Sequence, residues 1–249
     1  MDKDFFSLTL PLVLVTGADG GIGSATCRVL LERGWRVAGV ERSTGDSALT
    51  RDNKSHPHYR TIQMDLRSPT MVEEIQEALA GVKVLHGLVN VAGISLGNSI
   101  EALTDKDWEE SFAVNVSAPM KLSRGLAPML AESGAGSIVN IGSPVGITGA
   151  RKPSYAASKS ALQGLTMSLA RNLGPKNVRV NLVLPGTTIT PMTEDWPQEK
   201  REAIAEENFL GRLFEPEETA RVIAFLLSGD SSCITGSVLD LTAGALWGH

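Results

Sequence analysis

Thr16-Gly-Ala-Asp-Gly-Gly-Ile-Gly23 lies between an apolar run, residues 12–16, and a stretch of helical period that begins at Gly21. Glycines at such a junction let the backbone turn sharply and come close to a pyrophosphate, and the helix start offers unpaired N–H donors. A glycine cluster alone often marks only a tight turn, but one between a strand and a helix is typical of dinucleotide binding. The spacing Gly17-x-x-x-Gly21-x-Gly23 differs from the GxGxxG of the general fingerprint. The stretch predicts a nucleotide phosphate site at the first strand–helix junction.

Strand-length apolar runs alternate with helical stretches along the rest of the chain. Strands are predicted over 12–16, 36–40, 59–64, 84–90, 137–141, 178–184 and 237–241. Helices are predicted over 21–33, 70–79, 104–131 (with a break near Asn115 and Pro119), 155–173 and 216–227. Nearly continuous apolar strands are typical of a parallel sheet with both faces covered. The pattern predicts an α/β fold, a doubly wound, Rossmann-like parallel sheet of seven strands with helices on both faces. No repeat or linker divides it, so residues 1–249 are predicted to form a single domain.

Composition and charge exclude several classes of protein. The 249 residues are 42% hydrophobic and carry 23 basic and 28 acidic side chains, a net charge of −5, which argues against nucleic-acid binding. No stretch approaches the ~18 uncharged apolar residues of a membrane span, and the start lacks a signal-peptide layout. We therefore expect a cytoplasmic protein without membrane or nucleic-acid partners. The spacing of Cys27, Cys233 and the four histidines predicts reduced core thiols and no metal site.

Glu41 ends the second predicted strand and bears on the choice of cofactor. A carboxylate there can accept hydrogen bonds from both ribose hydroxyls of NAD, and it repels a 2′-phosphate. Arg42 follows directly and favours the opposite choice, because a guanidinium can pair with a 2′-phosphate. NAD is the expected cofactor and NADP the alternative, unless the two residues form only a surface pair. Asp65 ends the third strand and either accepts a hydrogen bond from the adenine amino group or caps the helix after Pro69.

Ser143, Tyr155 and Lys159 form the candidate chemical site. Tyr155 and Lys159 lie four residues apart at the start of a predicted helix, so both side chains project from one face. A phenol normally ionises near ~10, but a neighbouring ammonium and an oxidised nicotinamide lower that pKa. Tyr155 could then take a proton from an alcohol or give one to a carbonyl, and Ser143 could hold the same oxygen. The pair alone is common on helix surfaces, and it becomes specific only with Ser143 and the glycine loop.

Residues 187–210 follow a strand end and predict a substrate lid, as opposed to a plain surface excursion. The other irregular stretch, 43–57, is predicted to be a surface connection. The candidate substrate residues are Ser95, Leu96, Ser143, Val145, Tyr155, Met192 and Trp196. This set is mostly apolar and lacks a cationic clamp, which favours a neutral or weakly polar secondary alcohol or ketone as the substrate.

Taken together, these motifs resemble the short-chain dehydrogenase/reductase family, in its classical subclass, over essentially the whole chain. The resemblance is carried by Thr16-Gly-x-x-x-Gly-x-Gly23, Asp65, Asn90-Val-Ala-Gly93, Asn115, Ser143, Tyr155-Ala-Ala-Ser-Lys159 and Pro185-Gly186. It implies a catalytic tetrad of Asn115, Ser143, Tyr155 and Lys159, with hydride passing between the nicotinamide C4 and a carbinol carbon. It also implies that Asn115 holds a water that relays protons to Lys159.

The resemblance further implies a set of cofactor-binding residues and an oligomer. That set is Gly17, Asp19, Gly21, Ile22, Gly23, Glu41, Arg42, Asp65, Leu66, Asn90, Ala92, Gly93, Tyr155, Lys159, Pro185, Gly186, Thr188 and Thr190. The family pairs the two long helices between subunits, so a homotetramer, or a dimer, is expected. The chain departs from the family at Val91, where a second asparagine is usual, at His86, where aspartate is frequent, and at residues 241–245.

Three functions follow from the sequence. The first is an NAD-dependent alcohol dehydrogenase or ketoreductase with Tyr155 as general acid/base. The second is an NADP-dependent carbonyl reductase of the same fold. The third is a nucleotide-binding regulatory protein without catalysis, which has no chemical need for the tyrosine–lysine pair.

Overall fold

A computed structural model describes residues 9–42 and 50–246 of the chain, so part of the predicted connection 43–57 lies outside the described residues. One sheet of seven strands runs in the order β3-β2-β1-β4-β5-β6-β7, and every neighbouring pair is parallel. The strands are β1 (Leu12–Thr16), β2 (Arg36–Glu41), β3 (Tyr59–Gln63), β4 (Gly87–Asn90), β5 (Gly136–Ile141), β6 (Val178–Pro185) and β7 (Val238–Leu241).

The helices cover both faces of this sheet. They are α1 (Gly21–Glu32), α2 (Arg51–Ser55), α3 (Met71–Ala78), α4 (Asp105–Phe112), α5 (Ala118–Glu132), α6 (Val145–Thr148), α7 (Pro153–Leu173), α8 (Gln198–Glu206) and α9 (Pro216–Leu227). A π-helical turn, Ala113–Ser117, joins α4 to α5 at the predicted break, and short 3-10 turns follow α7 and α9.

Side-chain alternation along the strands divides the core in two. Leu12 and Leu14 of β1 pack with α3 and α5 on one face, and Val13 and Val15 pack with α1 and α9 on the other. Successive strand residues point to opposite faces, so a central strand that is apolar throughout needs a layer of helices on each side. The predicted single-domain, doubly wound fold is therefore confirmed.

The sequence placed most elements correctly and missed several short ones. Strand β4 is shorter than predicted and begins at Gly87. Just before it, the His86 Nδ1 accepts a hydrogen bond from the Leu12 backbone N–H at 3.2 Å. Helices α2, α6 and α8 were not predicted, since two of them are only one turn long and the third has little apolar periodicity. Cys27 is buried as predicted, but Cys233 is exposed, so it is not a core thiol.

The order of the strands reverses at β1, which pairs with β2 on one side and β4 on the other. Ligands of such sheets bind outside the carboxyl ends of the strands at this switch point. The glycine loop after β1 and the segment after β4 meet there. Within the described residues, no helix is long and apolar enough to span a bilayer.

Candidate active site

The glycine loop is packed so closely that side chains do not fit at two of its positions. Gly17 has φ +65°, and a Cβ there would lie 2.8 Å from the Ala92 Cα. The Ala92 N–H donates to the Thr16 hydroxyl at 3.2 Å, which fixes the two strand ends side by side. A Cβ on Gly23 would overlap the Gly17 carbonyl. The loop therefore presents bare backbone at the switch point.

The start of α1 provides the donors that a phosphate group requires. Its first helical hydrogen bond runs from the Ser24 N–H to the Gly20 carbonyl at 2.8 Å, and Gly20 supplies no side-chain cap. The N–H groups of Gly21, Ile22 and Gly23 thus have no carbonyl four residues earlier to accept them. Bare backbone, unpaired donors and the positive end of the helix dipole fit the pyrophosphate of a dinucleotide.

Ser143, Tyr155 and Lys159 meet beyond the carboxyl end of β5, as the sequence predicted. Ser143 follows the strand, and the other two lie in the first turns of α7. Burial raises the pKa of the Tyr155 phenol, and a hydrogen bond from Ser143 lowers it in part. Ser143 is therefore a side chain that favours the phenolate.

Lys159 is almost fully buried, and its charge is poorly compensated. The side chain is 4% exposed, and burial lowers its pKa from 10.5 to about 8. Its Nζ donates to the Ile141 carbonyl at the end of β5 at 2.7 Å and lies 5.8 Å from the centre of the Tyr155 ring. The ammonium is therefore held between the sheet and the tyrosine.

Asn115 lies in the π-helical turn and joins the segment after β4 to α7. Its Oδ1 accepts from the Ile94 N–H, and its Nδ2 donates to the Ile94 carbonyl and to the Ser158 hydroxyl, all at 2.9 Å. Ser158 in turn donates to the Tyr155 carbonyl at 2.9 Å. The sequence analysis missed Ser158, although it lies inside the Tyr155-Ala-Ala-Ser-Lys159 motif, three residues after the tyrosine.

Glu41 ends β2 as predicted, but its carboxylate points into the protein. The side chain is 0% exposed and 3.0 Å from the Lys54 ammonium, and it accepts a hydrogen bond from the Tyr59 hydroxyl at 2.7 Å. The sequence predicted a carboxylate free to accept from ribose hydroxyls, and neither partner was foreseen. Arg42 is exposed beside it.

Asp65 and Leu66 follow β3, and the Asp65 carboxylate is bound by its neighbour Arg67. The guanidinium donates to Oδ1 at 3.0 Å and to Oδ2 at 2.7 Å, and the Arg67 N–H donates to Oδ1 at 2.9 Å. These bonds hold the pKa of Asp65 below its ordinary value. Asp65 therefore caps a turn, and helix α3 begins later, at Met71.

Asn90 and Gly93 line the opposite side of the switch point. The Asn90 Nδ2 donates to the Asn140 side chain at 2.8 Å, and Asn140 donates to Thr166 at 2.9 Å, which forms a buried polar chain from β4 to α7. A Cβ on Gly93 would lie 3.3 Å from the Lys159 Nζ. A side chain at position 93 would therefore press tightly on the ammonium.

The carboxyl end of β6 and the segment beyond it close the site from the other side. The Phe214 ring covers Gly186, which follows Pro185, so a side chain there would overlap the ring. The Thr188 hydroxyl donates to the Gly186 carbonyl at 2.9 Å, and Thr190 packs directly on Gly21. The predicted lid segment is therefore in contact with the glycine loop at its base.

The candidate substrate residues are spread around this edge. The Ser95 carbonyl accepts from the Lys152 ammonium at 3.3 Å, and the Leu96 carbonyl accepts from the Ser154 hydroxyl at 3.1 Å. The start of α7 thus fixes that loop. Val145 begins α6, close to Ser143. Met192 is 61% exposed, and the Trp196 ring is covered by the Lys200 ammonium at 3.4 Å from its centre. Within the described residues, no group of three or more His, Cys, Asp or Glu side chains could hold a metal ion.

Comparison with known proteins gives consistent results. The family model described as short chain dehydrogenase matches residues 11–201. The 3-oxoacyl-[acyl-carrier-protein] reductase FabG of Thermotoga maritima is 35% identical over 93% of this chain and 96% of that protein. The 3alpha-hydroxysteroid dehydrogenase of Mediterraneibacter gnavus is 34% identical over 97% of this chain and 99% of that protein. Among solved structures, the RhlG/NADP active-site complex of Pseudomonas aeruginosa superposes with a TM-score of 0.86 at 30% identity, over 97% of this chain and 98% of that one.

Proposed function

The chain belongs to the short-chain dehydrogenase family of NAD(P)-binding oxidoreductases, and from that premise we propose that it transfers a hydride between its nicotinamide cofactor and a secondary alcohol or ketone. The observation that carries this proposal is the meeting of Ser143, Tyr155 and Lys159 beside the glycine loop. The cofactor's phosphates would bind the N–H groups of Gly21, Ile22 and Gly23. When bound, the nicotinamide gives or accepts the hydride.

Tyr155 moves the proton in this reaction. In oxidation the phenolate oxygen takes the proton of the substrate hydroxyl, and in reduction the phenol gives a proton to the carbonyl oxygen. The Ser143 hydroxyl, which hydrogen-bonds the phenol, would hold the same substrate oxygen. The Lys159 ammonium stabilises the phenolate electrostatically once the site closes and water leaves. Asn115 fixes the loop and the helix that bring these groups together.

Tyr155→Phe tests the catalytic role. Removal of a positioned proton-transfer group lowers turnover by about a hundredfold to ten-thousandfold. We expect that loss in kcat, with the affinity for the reduced cofactor changed by less than about twofold, since the phenol contacts the reacting oxygen. Full activity in the variant would remove the acid/base assignment. A wild-type protein that binds cofactor but turns over no alcohol or ketone would favour the regulatory alternative.

We propose a substrate with an extended apolar body. Several large apolar side chains are exposed in the segments that follow β5 and β6: Ile147, Ile189, Met192, Phe209 and Leu210. Exposed apolar groups concentrated beside a site, and not scattered singly, are typical of ligand-binding surfaces. Two relatives of this chain are named for a steroid and an oxoacyl substrate, both with large apolar parts.

A homologous series of secondary alcohols of increasing chain length tests this proposal. Each buried methylene contributes ~0.8 kcal/mol, so kcat/KM is expected to rise about fourfold per carbon until the surface is covered. Met192→Ser should reduce that slope, whereas Met167→Ser, at a methionine on α7 that is 47% exposed, should leave it unchanged. If kcat/KM of the wild-type enzyme did not change with chain length, an apolar substrate body would be excluded.

We propose that the enzyme is a homotetramer in which α4, α5 and α7 of neighbouring subunits pair. Trp108 on α4 and Met167 on α7 are large apolar side chains left exposed on these helices, which supports the pairing. Sedimentation equilibrium should give four times the mass of the 26.4 kDa chain. A monomer at micromolar concentration would overturn the proposal.

A further inference from the structure

The carboxylate at the end of β2 is already paired inside the protein. The Glu41 side chain is 0% exposed, and the Lys54 side chain that pairs with it at 3.0 Å is 19% exposed. The carboxylate is therefore closed to solvent, and the side chain next to it that is partly exposed is that of Lys54. The pair also cancels the charge of Glu41, on which its repulsion of a phosphate would depend.

Tyr59 holds the carboxylate in this inward position. The ring crosses from β3 over Gly39 of β2, where a Cβ would lie 2.6 Å from the tyrosine Cζ, and its hydroxyl donates to Glu41 at 2.7 Å. Tyr59 itself is 8% exposed. Because the ring lies over Gly39, the hydroxyl is placed where the inward-turned Glu41 accepts from it.

This cluster lies where a dinucleotide of a doubly wound sheet places its adenosine ribose. The Ala18 N–H of the glycine loop donates to the Val40 carbonyl at 3.2 Å, which joins the phosphate site to the end of β2. Asp65, the next strand-end carboxylate, is bound by Arg67. Arg42 is exposed, and no ion pair in the described part of the chain includes it. The two carboxylates are thus each paired with a cation, and Arg42 adds a positive charge.

We propose that Lys54 determines cofactor specificity: by pairing with the buried Glu41 it removes the repulsion of a 2′-phosphate, and together with Arg42 it makes the enzyme select NADP(H) over NAD(H). This inference rests on the proposed function, and it replaces the expectation of NAD that Glu41 alone suggested. Tyr59 acts as a positioning residue, because it keeps Glu41 away from the ribose hydroxyls.

The test is a fluorescence titration of the purified wild-type protein with NADH and with NADPH. NADPH should bind at least about tenfold more tightly, as one charged hydrogen bond to the phosphate would give. Lys54→Met should shift the ratio of the two dissociation constants towards NADH by about tenfold, and Lys54→Arg should retain the wild-type ratio. Tyr59→Phe should shift this ratio in the same direction as Lys54→Met, because the buried Tyr59 hydroxyl no longer holds Glu41 away from the ribose. Lys176→Met, an exposed lysine before β6, is the matched control and should change nothing.

The outcomes separate this inference from the proposed function. Tighter binding of NADH by the wild-type protein, or an unchanged ratio in both Lys54→Met and Tyr59→Phe, would overturn the role of Lys54 and leave the oxidoreductase intact. A Glu41→Gln variant that loses NADH affinity selectively would show that Glu41 binds the ribose after all. Binding of neither nucleotide would contradict the proposed function itself. If Lys54→Met does not fold, as judged by circular dichroism, Lys54→Gln takes its place.

Discussion

Replacing Asn115 by alanine should destabilise the protein, because the side chain has a structural role. A residue that only held a catalytic water would contribute little to stability. The side chain is 1% exposed and makes three hydrogen bonds, two with the Ile94 backbone and one with Ser158. The variant removes the partner of the Ile94 N–H and carbonyl, which are partly buried, and of the Ser158 hydroxyl, which is buried. At ~1 kcal/mol for each bond, unfolding free energy should fall by about 3 kcal/mol.

That loss corresponds to a melting temperature lower by roughly 6–12 °C for a chain of this size. Ser158→Ala removes one of these three bonds and also the bond from Ser158 to the Tyr155 carbonyl, so it should lower the melting temperature by about two thirds as much. Asn172→Ala, which loses a single exposed hydrogen bond to the Ser168 carbonyl, is the control, and its unfolding free energy should stay within about 0.5 kcal/mol of the wild-type value. Differential scanning calorimetry of the three variants measures the series. An Asn115→Ala protein that melts with the wild type while losing activity would refute the reasoning, because the side chain would then hold nothing together.

Three further changes test other parts of the structure. His86 accepts a hydrogen bond from the Leu12 N–H through its neutral Nδ1, and burial lowers the pKa of the imidazole. The folded state therefore binds fewer protons than the unfolded chain, and stability should fall as pH drops below about 6.5. The melting temperature of His86→Asn, which retains an acceptor, should lose that pH dependence. Gly23→Ala forces a Cβ onto the Gly17 carbonyl and should destabilise by about 1–3 kcal/mol while abolishing nucleotide binding, measured by titration of whatever fraction folds. Gly164→Ala adds a methyl group to open space inside α7 and should stabilise the chain by about 0.5–1 kcal/mol in urea unfolding; a loss of stability would mean that another subunit covers this position.

The sequence predicted the architecture because the central strands are mostly apolar and alternate along the chain with stretches of helical period. The sheet of seven strands, the break near Asn115 and the position of the glycine loop all follow from such local patterns. The residues proposed for catalysis could be named for the same reason, since Tyr155 and Lys159 are four residues apart and Ser143 follows an obvious strand.

The environment of Glu41 could not be predicted, because its partners come from other elements. Tyr59 reaches it only across the bare backbone of Gly39, and Lys54 comes from a helix of one turn with no apolar periodicity. The strand-end position of Glu41 is visible in the sequence, but the direction of its side chain is a property of three-dimensional packing. Asp65 differs, because its partner Arg67 is only two residues away, and the sequence left open whether Asp65 binds adenine or caps a turn.

Burial of the Lys159 ammonium lowers the stability of the folded protein. The ammonium is desolvated, so at neutral pH the native state carries a penalty that the unfolded chain does not, and a methionine of similar length would relieve it. An uncharged side chain at this position would therefore raise the stability of the protein and remove the proposed stabilisation of the phenolate. The residue proposed to stabilise the phenolate is thus also a place where the fold is kept below its greatest attainable stability.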